Sequence, residues 1–210
     1  MTDIRYTLVS DGSSDRMLIP ILNWLLENLS ANFAFQAQWA DLGRVRSIPA
    51  TLSGKLRCAM KIFPCELLFI HRDAEAQSLE ERRLEILAAL GESGLQTPAV
   101  CVVPVRMSEA WLLLDEKAIR TAAGSPTSRV PLNLPGPNQA EQIVNPKDVL
   151  FRAIRDASGQ AGRRLKSLNV HALRHRVAEL MDDPAILRRL PSFQRLEEDL
   201  TAELQAAGWI

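Results

Sequence analysis

Short apolar runs alternate with helix-periodic ones through residues 1–123, and this alternation limits the chain to a mostly parallel sheet covered by helices. A strand is read near 4–10, followed by "DRMLIPILNWLLENL" with Met17, Leu18, Ile21, Leu22, Leu25 and Leu29 at helical spacing. A second strand spans about 33–40, a helix opens at Ser47 with Pro49 in its first turn, and a third strand covers about 66–71. "SLEERRLEILAALGESG" then reads as an amphipathic helix stopped by glycine, and "AVCVVPV" (99–105) as strand four. "SEAWLLLDEKAIRTAAG" reads as one helix with Ser108 as cap and Gly124 as stop. The expected fold class is α/β, a mostly parallel four-stranded sheet flanked by helices.

Residues 124–146 hold five of the twelve prolines and are read as a connecting loop. From 147 to 210 the pattern is helical, and Val149, Leu150, Ile154, Val170, Leu173, Val177 and Leu180 recur at spacings that need a partner surface. A C-terminal helical extension packed on the α/β half is therefore expected. A 47% hydrophobic content over 210 residues is enough for a sizeable core. The 25 basic residues balance the 25 acidic ones, so the whole-chain charge points to no particular partner. Between Lys147 and Arg195, however, eleven Lys/Arg stand against five Asp/Glu, and any basic face belongs there. Cys58, Cys65 and Cys101 lie at no zinc-like or redox spacing, which favours reduced thiols. "MTDIRYTLVS" is too charged for a signal peptide and no apolar run approaches the ~20 residues of a membrane span, so a cytoplasmic location and no membrane partner are expected.

The chemistry-bearing residues gather where the strands end. In a parallel sheet the loops leaving the strand C-termini share one edge, where ligand sites of open α/β folds collect. Asp11 and Asp15 of "SDGSSD" (10–15) leave strand one, Asp73 and Glu75 of "LFIHRDAEAQ" (68–77) leave strand three, and Glu109 of "MSEAW" (107–111) follows strand four. Carboxylates converging on one edge repel one another unless cations compensate. Magnesium or manganese is the natural compensation, because hard cations take oxygen ligands. Taken singly, each residue has a plainer role: Asp15 or Ser14 can cap the first helix, Glu109 can complement a helix dipole, and Asp73 and Glu75 can lie in a solvated loop.

Several neighbouring groups bear on the same edge. Arg72 can hold a phosphate or stabilise developing charge, or else it or His71 pairs with a carboxylate under the sheet edge; Arg106 at the end of strand four carries the same two readings. His171 and His175 sit four apart, a spacing able to bind zinc, but without the intervening Glu of a metalloprotease helix they read as a basic surface. Ser13 and Ser14 lack the glycine pattern of hydrolase nucleophiles, and Trp111 reads as core.

On "DGSSD", "DAE" and "PVRMSEAWLLLD" (104–115), with "LPSFQRLEEDL" (190–200) as a late helical segment, the chain resembles the Toprim superfamily of topoisomerases, primases and overcoming-lysogenization-defect nucleases. It is similar, more narrowly, to uncharacterised bacterial Toprim-related proteins. The resemblance implies a general acid/base role for Asp11 and magnesium binding by Asp73 with Glu75. Two positions depart from the pattern. The first acid is usually glutamate, so Asp11 is about one methylene short, and the usual Asp-x-Asp pair is here Asp-x-Glu. Tyr6 is the only tyrosine and lies inside strand one, which excludes a topoisomerase-like covalent bond to DNA.

The function expected on these grounds is magnesium- or manganese-dependent phosphodiester hydrolysis on nucleic acid. Asp11 and Arg72 take catalytic roles, Asp15, Asp73, Glu75 and Glu109 the metal, and Arg152, Arg155, Arg163, Arg164 and Lys166 grip the nucleic-acid backbone. Two alternatives stay open. One is a non-catalytic Toprim-like module binding a nucleotide or a protein partner in a phage-defence complex, the other a phosphatase acting on a small molecule.

Overall fold

The computed structural model describes residues 2–210. Four strands, β1 (Thr2–Val9), β2 (Phe33–Trp39), β3 (Leu67–His71) and β4 (Ala99–Val102), form one sheet in the order β2-β1-β3-β4 with every pairing parallel. The fold is therefore α/β. Strand side chains alternate between two packed faces. Tyr6, Leu8, Leu67, Phe69, Val100 and Val102 enter one core, while Val9, Leu68, Ile70, Cys101 and Val103 enter the other. The Tyr6 hydroxyl donates to Asn23 Oδ1 at 2.6 Å inside the first core, so the lone tyrosine is a structural residue.

The strand order dictates where the helices go. The chain leaves β1 in one direction through α1 (Leu18–Leu29), then returns past β1 through α2 (Leu52–Ile62) to reach β3, and continues through α3 (Leu79–Ser93) to β4. Right-handed crossovers made in opposite directions place their helices on opposite faces. Accordingly, α1 packs in the first core, whereas Leu56 and Ala59 of α2 and Ile86 of α3 pack in the second. Loops leaving β1 and β3 thus diverge to opposite sides and open a crevice between them.

Two helix assignments need correction. The helix expected from Ser47 begins at Leu52, because Thr51 supplies the cap by accepting from the Gly54 amide at 3.1 Å. Pro49 instead packs on that first turn, where a Cβ at Gly54 would lie 2.6 Å from its ring. The helix expected from Ser108 to Gly124 is broken into α4 (Glu109–Leu112) and α5 (Glu116–Ala122). Asp115 interrupts it by turning its carboxylate onto the Ala118 amide at 2.8 Å, a local bond that competes with continued helix. Ser108 makes no side-chain cap.

The segment 124–146 contains one short turn of helix, α6 (Pro137–Ala140), and contributes buried Leu132 and Ala140 to the first core. Beyond it lie α7 (Pro146–Ser158), α8 (Gly162–Lys166), α9 (Val170–Glu179) and α10 (Pro191–Ala206). Leu150, Ile154, Val177, Phe193, Leu196 and Leu200 share the core of β1, β3 and α1. Trp111 links the halves directly: its ring meets Phe193 edge-on at 5.3 Å and its indole N–H donates to Ser192 Oγ at 3.0 Å. Arg83 of α3 pairs with Asp199 of α10 at 2.7 Å, so α10 braces the sheet from β4's side. No helix among the described residues is long and apolar enough to cross a membrane.

Removing residues after about 145 uncovers this face, and the truncated chain is expected to be molten or insoluble, as judged by dye binding and near-UV dichroism. Phe193→Ala, which empties a fully buried site against Trp111, is expected to cost about 3–5 kcal/mol in chemical denaturation.

Candidate functional site

Register brings the strand ends level. Leu8 pairs with Trp39, Val9 with Ile70, and His71 with Val102, so the following residues leave the sheet side by side. Hydrogen bonds then carry the β3 exit along the β4 exit: Arg72 N to Val102 O, Ala74 N to Pro104 O at 3.0 Å, and Glu75 N to Arg106 O at 2.9 Å. Glu75 and Arg106 both take left-handed backbone, with φ of 54° and 64°, and Arg106 returns a guanidinium bond to the Glu75 carbonyl at 3.2 Å. Non-glycine residues hold that conformation only where their surroundings over-determine it. The loop carrying Asp73 is consequently stiff.

A cavity of about 320 Å³ lies at the β1/β3 crevice, lined by Asp11, Asp15, His71, Arg72, Asp73 and Arg82 among others. His71 and Asp15 are buried in its wall, and Asp73, partly exposed, lies beside them. Asp15 Oδ2 accepts from the Gly12 amide at 3.1 Å and Oδ1 from Ser14 Oγ at 3.0 Å, so it also closes its own loop. Asp73 Oδ1 accepts from the Ser108 amide at 2.9 Å, which ties the loop leaving β3 to the start of α4. His71 Nδ1 donates to the Val102 carbonyl at 2.9 Å, because a carbonyl can only accept. Its Nε2 is left facing Asp73 at 3.6 Å and Asp15 at 3.9 Å.

Behind them, Glu109 is buried and paired with Arg174 of α9 at 2.6 Å, both side chains 5% exposed. Burial pushes the Asp73 carboxyl up to about 6; Glu109 and Asp15 add to the push, against the His71 charge and the Ser108 amide. Three carboxylates thus face one fixed cation and one imidazole, an interior short of positive charge.

The rim is different. Asp11 accepts from Lys55 Nζ at 2.8 Å and from Arg72 Nε at 3.1 Å. Burial pushes its carboxyl up, but those two cations outweigh it and hold the group below its ordinary value. An acid kept ionised in this way has no proton to give, which speaks against the acid half of the role implied by resemblance. Arg72 and Arg82 also share Glu85, and Arg82 Nη2 lies 3.6 Å from Glu75, whose side chain is 70% exposed. Asp11, Glu75 and Glu85 are thus matched by Lys55, Arg72 and Arg82.

The carboxylates of three separate loops therefore share one edge, though no three His, Cys, Asp or Glu side chains among the described residues converge as a ready-made coordination shell. The five basic residues do not join them. Arg152 lines a groove with the proline-rich segment, and Arg155, Arg163, Arg164 and Lys166 are exposed on α7 and α8, none lining the acidic cavity. His171 packs edge-on against Phe151 at 4.9 Å, and His175 lines another cleft with Arg16 and Ser13.

Sequence reasoning missed Lys55, Arg82 and Arg174. The first two carried a signal, since each is the fourth residue of a helix that starts at this edge, where the helix dipole disfavours a cation that has no carboxylate partner. Arg174 carried none, because it arrives from the distant extension.

Two outcomes follow from this electrostatics. Arg174→Ala strands Glu109 and is expected to cost about 3–5 kcal/mol, most of it recovered in Arg174→Met/Glu109→Leu, as read from denaturant midpoints. Asp73 is protonated in the folded chain over a range, from about pH 4 to about pH 6, in which an unfolded Asp is already ionised. Folding therefore takes up a proton there, and metal-free stability falls as pH rises through that window, by up to about 3 kcal/mol, a fall that Asp73→Asn abolishes. Chemical denaturation at pH 4, 5, 6 and 8 checks the sign.

Comparison of the chain with protein-family profiles, with curated proteins and with solved structures finds no match.

Proposed function

We propose that the crevice between β1 and β3 holds a divalent cation and, beside it, a phosphate group, and that the protein hydrolyses phosphodiesters of nucleic acid or nucleotide. The observation that carries this is the uncompensated interior: Asp15, Asp73 and Glu109 lie together with only Arg174 and His71 against them, and Asp73 is pushed up to about 6. Desolvated carboxylates that raise one another's proton affinity are equally receptive to a metal ion. Asp15 and Asp73 would hold the ion, magnesium needing only one or two protein carboxylates, while Nε2 of His71 is a donor better suited to manganese than to magnesium. When bound, the ion supplies polarisation of the phosphoryl oxygen and a more acidic water.

The chain's own groups do the rest. Arg72, which shares Asp11 with Lys55 and Glu85 with Arg82, can turn to phosphate oxygens at little electrostatic cost, and Arg82 stands beside it between Glu75 and Glu85. Asp11 holds Arg72 at the cavity and Lys55 beside it. The stiff Glu75–Arg106 loop crossing holds Asp73 in place.

The second reading, a phosphatase or binding module for a small phosphate ester, is favoured by one observation: the exposed arginines of α7 and α8 lie off the cavity. For a nuclease, Arg163→Ala with Arg164→Ala would weaken binding and flatten the slope of log K against log salt by about 2.

Manganese at about 100 times its dissociation constant is expected to stabilise the wild type by about 2.7 kcal/mol and Asp73→Asn by far less, in thermal melts at pH 7.5. The gain should shrink below pH 6, where protons compete for Asp73. Cleavage of single- and double-stranded DNA and RNA with manganese at low salt is expected in the wild type and absent in Asp73→Asn; equal activity in both rejects the hydrolase.

A further inference from the structure

A second cleft, of about 430 Å³, adjoins the acidic cavity on the β2 side, and Asp11 and Gly12 line both. Its walls are of another kind. Trp39, the last residue of β2, is half-buried and held by its indole N–H on Ser10 Oγ at 3.0 Å, while Ser10 in turn donates to the Gly12 carbonyl at 3.1 Å. The Arg16 guanidinium lies over the Trp39 ring, 5.6 Å from its centroid. Ile48, 44% exposed, contributes an apolar side chain to the same cleft. Asp41 brings a carboxylate, bonded to Arg44 at 2.7 Å. Lys55 stands at the junction, its ammonium on the Asp11 carboxylate that separates the two spaces.

We infer that this cleft takes the base and sugar of one unpaired nucleotide whose phosphate lies in the acidic cavity, which makes the substrate a single strand or a free nucleotide and not a duplex. This rests on the reading of that cavity as a metal-and-phosphate site. The chemistry is complementary part by part. A rigid indole and an isoleucine offer apolar surface to a base, which stacks on aromatic rings regardless of its identity. Asp41 and the backbone around Gly43 can meet amino and hydroxyl groups, and Lys55 faces the phosphate. The volume is in the range of small-ligand sites and admits one nucleoside, whereas a base pair locked in a helix cannot enter a recess beside its own phosphate without being unstacked.

The test compares adenosine 5′-monophosphate, ribose 5-phosphate, a five-nucleotide single strand and a blunt duplex, titrated calorimetrically with manganese present and, separately, manganese alone. The monophosphate or the single strand is expected to bind at least 10-fold more tightly than ribose 5-phosphate and the duplex. Trp39→Ala should lower base-dependent affinity about 5- to 150-fold, the loss of one base–aromatic stack, and leave ribose 5-phosphate and manganese affinities unchanged. Trp39→Phe should retain most of the affinity, and Ile48→Asp, at an exposed position that folding tolerates, should reproduce the loss. A free nucleotide preferred over the strand identifies a nucleotide substrate, and the reverse a single-stranded one; either supports the cleft. Ribose 5-phosphate binding as well as the monophosphate in the wild type, or Ile48→Asp and Trp39→Ala both binding normally, overturns it. Failure of manganese to bind while base-dependent binding survives rejects the metal reading and leaves the cleft standing.

Discussion

Right-handed crossovers leaving β1 on one side and returning past it on the other are the constraint from which the rest of the molecule follows. They send α1 to one face and α2 to the opposite face, so the chain cannot cover the top of the sheet between β1 and β3. What fills that gap is loop, and loop residues there are free to be polar. The second loop is stiffened by the reciprocal bonds of Glu75 and Arg106 and anchored by the Ser108 amide on Asp73. Backbone strain at two left-handed residues, of order 1–3 kcal/mol each, is the cost of aiming that carboxylate.

The electrostatics divides at the same place. On the rim each acid has a cation within reach, and such half-exposed pairs contribute little to stability. Inside, desolvation dominates. The Glu109–Arg174 pair sits at 5% exposure, where the cost of removing two charges from water rivals their attraction, so an apolar pair would stabilise the fold about as well. Its presence makes sense as a positioning device: it ties α9 of the extension to the helix that begins at the crevice, and keeps a negative charge behind Asp73. The extension is thus part of the site's foundation.

The same arrangement explains why charge on the α7–α8 surface and charge in the crevice have to be considered separately. Arg163, Arg164 and Lys166 are solvated and remote from the cavity lining, whereas the cations in the crevice are already matched by carboxylates. A ligand anion in the crevice competes with Asp11 and Glu85 for guanidinium groups, and a ligand cation competes with a proton on Asp73.

The alternation of apolar runs determined by itself that the chain is α/β, that its strands are parallel, and that Asp11, Asp15, Asp73, Glu75 and Glu109 share the carboxyl edge, because strand exits in a parallel sheet all point one way. It also showed, through the spacing of Leu150, Ile154 and Val177, that the C-terminal half had to bury one face. Helix boundaries at Thr51 and Asp115 escaped, since a cap is decided by which side chain reaches an amide and several candidates stood within a few residues. Only the tertiary structure decided the strand order, which puts the crevice between β1 and β3, and the pairing of each charge. Asp11 and Asp73 look alike in sequence. One meets Lys55 and Arg72 and is held ionised, while the other is enclosed with Asp15 and Glu109 and holds its proton to about pH 6, because burial and charge act through distances that no spacing along the chain encodes.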